Sequence, residues 1–242
     1  MIDFEQAMKL AITAVFGDQV QVQGCFFHLT QSTWRKIQEL GLINRYRESE
    51  DARLFCGMVD ALALLPIPDL DNGIDYLRQN TPDGMDTLLD YFVSTYCRGT
   101  LRRVGGRDNN GDFIIRRVPP LFPPEMWNVH DVTLAGEQRT NNLCEAWNHR
   151  IEHLVGVAHP PIWKLIKWLK ADAASASTTL LNYSRGEVPN RRQNRTYVQL
   201  QARLRQLCID RRDQNKSVAE FLRGAGYNIR WKAKRVEQIH VE

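Results

Sequence analysis

No apolar run in the 242 residues approaches the ~20 consecutive residues a membrane-spanning helix needs. The start, MIDFEQAMKL, carries acids where a secretory leader carries bases. Cysteine is scarce: five residues, at 25, 56, 97, 144 and 208, odd in number and irregular in spacing. That excludes a disulfide framework and points to reduced thiols. No internal repeat is present, and alternating strand-like patterns are few and short. These absences predict a soluble nuclear or cytoplasmic chain with no membrane partner. What remains is ordinary globular composition, 43% hydrophobic and 25% charged, long enough for one large domain or two small ones.

The charge is unevenly spread. Residues 185–242 hold 14 Lys/Arg against 6 Asp/Glu, whereas residues 1–184 hold 18 against 22. A basic C-terminal part after an acidic body implies either an anionic partner or a solvated helical surface.

DFEQAMKLAITAVF, residues 3–16, has the apolar spacing of an amphipathic helix, and Asp3 with Gln6 fits a capping box. VQVQGCFFH, 20–28, reads as a short strand, followed by a helix that breaks at Gly41 and ends near Arg47. Residues 50–97 look wholly helical, interrupted by loop signals in PIPDLDNG and TPDG. GGRDNNGD, 105–112, reads as a loop, FIIRRV as a short strand, and PPLFPP as a stiff irregular segment. A long helix follows HPP at 159–161, another runs through RTYVQLQARLRQLCIDRR, and a last one, SVAEFLRGAGY, ends at a glycine stop.

RTNNLCEAWNHRIEHLVG, residues 139–156, carries the most specific pattern. At about 100° per residue, Leu143, Trp147, Ile151, Leu154 and Val155 fall on one side of a helix, with Glu145, His149 and Glu152 on the other. Asn142-x-x-Glu145 matches capping-box spacing, so Glu145 is either a helix cap or a chemical group. The same two readings hold for Asp3. Trp147, Trp163 and Trp168 sit at apolar helical positions and are expected in packing, and Cys56, Cys97, Cys144 and Cys208 act as small apolar residues.

The pattern TNN-x-x-E-x-W-x-x-R, followed by LVG and HPPIWKLI, resembles the end of the catalytic domain of Mutator-like (MULE) transposases. IDFE at 2–5, GCFFH at 24–28, PLFPPEMWNV at 120–129 and FLRGAGYNIRW at 221–231 resemble further family segments in the family's order. The resemblance implies a ribonuclease H-like fold with an all-helical insertion, and chemistry in which two aspartates and a glutamate hold two Mg²⁺ or Mn²⁺ ions for DNA cleavage and strand transfer. Position by position, Asp3 corresponds to the second aspartate and Glu145 to the glutamate. Cys25 and His28 match the Cys-x-x-His signature near the pocket.

The family's first aspartate lies upstream of IDFE, so the expected fold is mainly α. It comprises an incomplete ribonuclease H-like α/β core lacking its first strands (1–48 and 119–184), a helical insertion with a flexible loop (49–118), and a basic helical tail (185–242). One of three metal-binding carboxylates is then absent, and the chain alone is expected to be inactive. The alternative is a non-catalytic, domesticated helical module that binds DNA or protein. Zinc is not expected, because no second pair of suitable spacing follows Cys25-x-x-His28 and a helix drifts about 80° over the eight residues from Glu145 to His153. Arg191, Arg192, Arg195, Arg203, Arg205, Arg211 and Arg212 are the candidate DNA contacts, through phosphate rather than bases. Self-association, as in transposase complexes, is the other partner expectation.

Overall fold

The computed structural model describes residues 1–107, 113–157, 159–187 and 194–230. The chain is mainly helical, with a small two-stranded antiparallel sheet. It divides into two compact units, one of residues 1–140 and the described residues from 199 to 230, the other of the described residues between 141 and 198.

The first unit opens with α1 (Gln6–Phe16), α2 (Phe26–Glu39) and α3 (Ile43–Glu48). The chain turns between α2 and α3 at Gly41, φ 69°, where the sequence signalled a break. α4 (Glu50–Ala61) starts at Ser49, whose hydroxyl accepts the Ala52 N–H at 3.2 Å, with Glu50 and Asp51 facing the positive end of the helix dipole. Every residue from Phe55 to Leu65 is buried, so α4 and the turn after it form the axis of the core rather than an amphipathic surface helix.

α5 (Leu70–Gln79) and α6 (Asp86–Phe92) wrap that axis. The D-N-G signal at 71–73 reads as a loop, but α5 already runs through it. Leu70, Ile74 and Leu77 are buried one helical turn apart, and a Cβ on Gly73 would come within 2.8 Å of Leu65. Burial of the stripe overrides local turn propensity. After α6 come β1 (Thr100–Arg107) and β2 (Phe113–Val118), then α7 (Pro124–Trp127) and α8 (His130–Ala135). β2 is the strand expected from FIIRRV, and β1 extends through Gly105 and Gly106, which the sequence assigns to a loop. An aromatic cluster of Phe4, Phe92, Tyr96, Phe122 and Trp127 closes this end, with the Trp127 indole donating to the carbonyls of Tyr96 (2.8 Å) and Phe122 (3.1 Å).

The second unit contains α9 (Asn142–Val155) and α10 (Ile162–Ser184). α9 stops at Gly156 in the left-handed region (φ 65°), and α10 starts after Pro161, as the prolines predict. Among the described residues of these two helices only Val155 is buried. Trp147 and Trp163, expected in packing, are exposed, Trp163 at 78%. The Trp147 indole is nevertheless engaged: it donates to Asp172 at 2.8 Å, and Arg150 pairs with the same carboxylate at 2.5 Å. Cys144, expected to be a small apolar group, is exposed as well.

α11 (Arg195–Arg212) and α12 (Val218–Arg230) follow, and α12 starts with a complete capping box. Ser217 Oγ accepts the Glu220 N–H at 3.2 Å, and Glu220 Oε2 accepts the Ser217 N–H at 2.8 Å. α12 lies directly on α4. Its glycines do not stop it, contrary to the expectation from SVAEFLRGAGY. A Cβ on Gly226 would stand 2.7 Å from the Met58 nitrogen, and one on Gly57 2.4 Å from the Gly226 carbonyl oxygen. The two glycines are the point of helix–helix contact. Beyond it Arg230 Nε reaches Asp60 Oδ2 at 2.6 Å, with Asp60 fully buried and Arg230 also donating to the Thr30 carbonyl at 3.2 Å.

Candidate functional site

The segment 20–28 shortens, against the strand expectation, to a single parallel bridge between Ile2 and Gly24, because α2 has begun by Phe26. The Ile2 N–H donates to the Gln23 carbonyl at 2.8 Å and the Cys25 N–H to the Ile2 carbonyl at 2.9 Å. α1 forms the connection between these two parallel stretches. The corner is tied to the rest of its unit by the Gly24 N–H on the Met126 carbonyl (2.6 Å) and by the Gln23 amide on the carbonyls of Met126 and Asn128. Gly24 has no room for a side chain, since a Cβ would meet the Phe4 ring at 2.7 Å.

Asp3 follows the bridge directly and is not a cap. The N-cap of α1 is Glu5, which makes no side-chain capping bond, whereas Asp3 Oδ1 lies 3.0 Å from His28 Nδ1. The Cys-x-x-His spacing explains the pairing. Cys25 is the N-cap of α2 and is fully buried; His28, three residues on, is partly exposed and turned to Asp3. The corner thus sets a carboxylate beside an imidazole nitrogen at the end of the bridge.

Glu145 lies in the second unit, in the first turn of α9. The N-cap is Asn141, without a side-chain bond, so Glu145 is one residue too far along for the capping box that Asn142-x-x-Glu145 suggests. It is half-buried and borders a shallow groove with Asn148, His149, Glu152, Val155 and Leu165. The polar side expected for Glu145, His149 and Glu152 thus lines one groove, with His149 Nδ1 3.5 Å from Glu152 Oε2.

The structure brings together Asp3, Cys25 and His28, and places Glu145 in a separate compact unit. Among the described residues no three His, Cys, Asp or Glu side chains are grouped to hold a metal ion. A two-metal centre needs several carboxylate oxygens converging on the ions, and of Asp3, Cys25 and His28 only Asp3 supplies them.

Of the candidate DNA-contacting arginines, Arg191 and Arg192 lie outside the described residues. Arg195, Arg203, Arg205 and Arg212 are exposed on α11, and Arg211 is partly buried. Arg211 is occupied by Asp69 at 2.8 Å, Arg212 by Asp213 at 2.8 Å, and Arg205 donates to the Leu134 carbonyl at 2.8 Å. At about 100° per residue the five arginines spread around the helix instead of forming one row.

Sequence reasoning passed over a second basic group, the exposed arginines of the β1–β2 ribbon at 102, 103, 116 and 117. The signal was the pair of RR dyads flanking a Gly- and Asn-rich turn. It also passed over the buried Asp60–Arg230 pair, which joins residues 170 positions apart. Burial pushes the Asp60 carboxyl up, and the Arg230 guanidinium opposes that shift.

No protein-family model, curated protein or solved structure matches this chain. Among the described residues no helix is long and apolar enough to cross a membrane.

Proposed function

We propose that this chain is the C-terminal part of the catalytic region of a Mutator-like transposase, related to metal-dependent DNA cleavage and strand transfer and inactive by itself. The observation that carries the reading is the Asp3–His28 contact of 3.0 Å at the end of a parallel bridge. The resemblance assigns Asp3 to catalysis and Cys25-x-x-His28 to the neighbourhood of the pocket, and these segments lie more than 20 residues apart in sequence. Mg²⁺ or Mn²⁺ belongs to the proposal through the resemblance. The resemblance calls for a further aspartate upstream of Asp3 to complete the ligand set.

The test is DNA nicking and end-joining with Mg²⁺ or Mn²⁺, in the chain as it stands and in a form extended upstream by strands bearing an aspartate. The expected result is no cleavage by the first, and cleavage by the second that Asp3→Ala and Glu145→Ala each abolish. Cleavage by the chain as it stands that survives Glu145→Ala overturns the assignment. The rival, a non-catalytic DNA-binding module, is favoured by the exposed arginines of the β-ribbon, and an extended form that binds DNA but never cuts it would establish that rival.

A further inference from the structure

We propose that the β1–β2 ribbon is a duplex-DNA contact, and that it, rather than the α11 arginines, carries most of the phosphate binding of this chain. The ribbon's register places Arg102 directly opposite Arg116, and sets Arg103 opposite Ile115 and Arg117 opposite Leu101. Paired residues of an antiparallel ladder share a face. One face therefore presents two arginines side by side, and the other alternates arginine with apolar side chains.

All four arginines are exposed, and among the described residues none is in an ion pair with an acid. Like charges directly opposite one another destabilise a ladder. An arrangement that keeps Arg102 against Arg116 costs stability unless an anion lies between them. The exposed apolar residues Leu101 (63%) and Ile115 (63%) are equally unexplained by folding.

The base of the ribbon is held rigidly. Gly99 (φ 69°) allows no side chain, since a Cβ would fall 1.9 Å from the Val118 carbonyl oxygen. Arg98 is anchored to Asp71 at 2.7 Å and offers its own carbonyl to Arg117 at 3.0 Å. Pro119 and Pro120 stiffen the exit. A two-stranded ribbon of this kind, with strands about 4.8 Å apart, has the width that the roughly 12 Å major groove of B-DNA admits. The deep, narrow major groove of duplex RNA does not admit it. A second copy of the ribbon is disfavoured as partner, because arginine would meet arginine.

The proposal stands apart from the transposase reading, since a catalytically silent chain still binds through its ribbon. The experiment is a fluorescence-anisotropy titration of the full chain with a labelled random-sequence DNA duplex across about 50 to 200 mM salt. Four phosphate contacts predict a log–log salt slope of about −3.6, at about −0.9 per contact. R102A/R116A is expected to weaken binding at least tenfold at low salt and to reduce the slope by about 1.8. R102K/R116K, which keeps the charge, retains affinity within a few-fold. R116E replaces a like-charge pair by an opposite pair, so the ribbon stays folded by circular dichroism while binding is lost. R203A/R205A changes affinity little. Unchanged binding by R102A/R116A and R116E, a larger loss from R203A/R205A, or tighter binding to duplex RNA each overturns the proposal. Concentration-dependent dimerisation that only the ribbon variants lose, without DNA affinity, reassigns the ribbon to self-association and equally overturns it.

Discussion

Two tryptophans summarise how unlike the two units are. Trp127, in the first, is fully buried and donates to two carbonyls; Trp163, in the second, is 78% exposed at an equally regular apolar position. The first unit has a core built around α4, with helices, an aromatic cluster and a buried ion pair closing on it. The second has amphipathic helices whose apolar residues stay in water, Leu143, Ile162 and Leu180 among them. The difference teaches that helical periodicity reports which side of a helix is apolar, and says nothing of whether the chain supplies anything to cover it.

The largest effects are expected where the first unit has no slack. Trp127→Ala should destabilise by about 3–5 kcal/mol in urea unfolding, from the cavity and the lost hydrogen bonds. Arg230→Ala should cost a similar ~3–5 kcal/mol, because it leaves Asp60 buried and uncompensated. The pair D60L/R230M sharpens the point, since replacing both charges with apolar groups should restore most of that loss. If R230A alone is harmless, α12 is not packed on α4 as described.

A second contrast lies in the thiols. Burial pushes Cys56 and Cys208 up to about 12, so both keep their protons in the folded state at a pH where an unfolded thiol has ionised. The unfolded state then binds fewer protons, and stability should fall as pH rises from about 9 toward 12, by up to about 1.4 kcal/mol per pH unit per thiol. Cys56→Ala should reduce that slope in a series of alkaline unfolding curves. Under native conditions a thiol reagent should modify exposed Cys144 well before Cys56, Cys25 or Cys208. Equal rates would mean that the buried thiols of the first unit are open to solvent.

Gly226→Ala should cost about 1–3 kcal/mol, because its methyl must push into the α4 backbone. At the small end, Trp163→Ala should change stability by no more than about 0.5 kcal/mol. A loss as large as that of Trp127→Ala would show that the α10 face is covered in solution and erase the contrast between the units.

Much of the local structure was legible in the chain. The α1, α4, α9, α10 and α11 segments announce themselves by apolar spacing, the break at Gly41 and the start at Pro161 by backbone restriction, and β2 by its β-branched run. The polar side of α9 carrying Glu145, His149 and Glu152 was likewise visible as periodicity. The misreadings have two causes. Gly73 and Gly226 look like breakers, but each is a glycine because a neighbouring element lies where its side chain would be. Asp3 and Asn142-x-x-Glu145 look like caps, but the helix starts are displaced from the positions capping needs.

Residue order alone therefore determined most of the helical segments, which faces are apolar, and that acidic and basic stretches are segregated, because propensity, periodicity and charge are local properties. Only the tertiary structure decided that Asp3 meets His28, that Asp60 meets Arg230 across 170 residues, and that Arg102 stands opposite Arg116. The first two join residues far apart in sequence, and the third depends on the register of a hairpin. They are set by the joint burial of a core and by the exact ladder register, neither of which periodicity or propensity specifies.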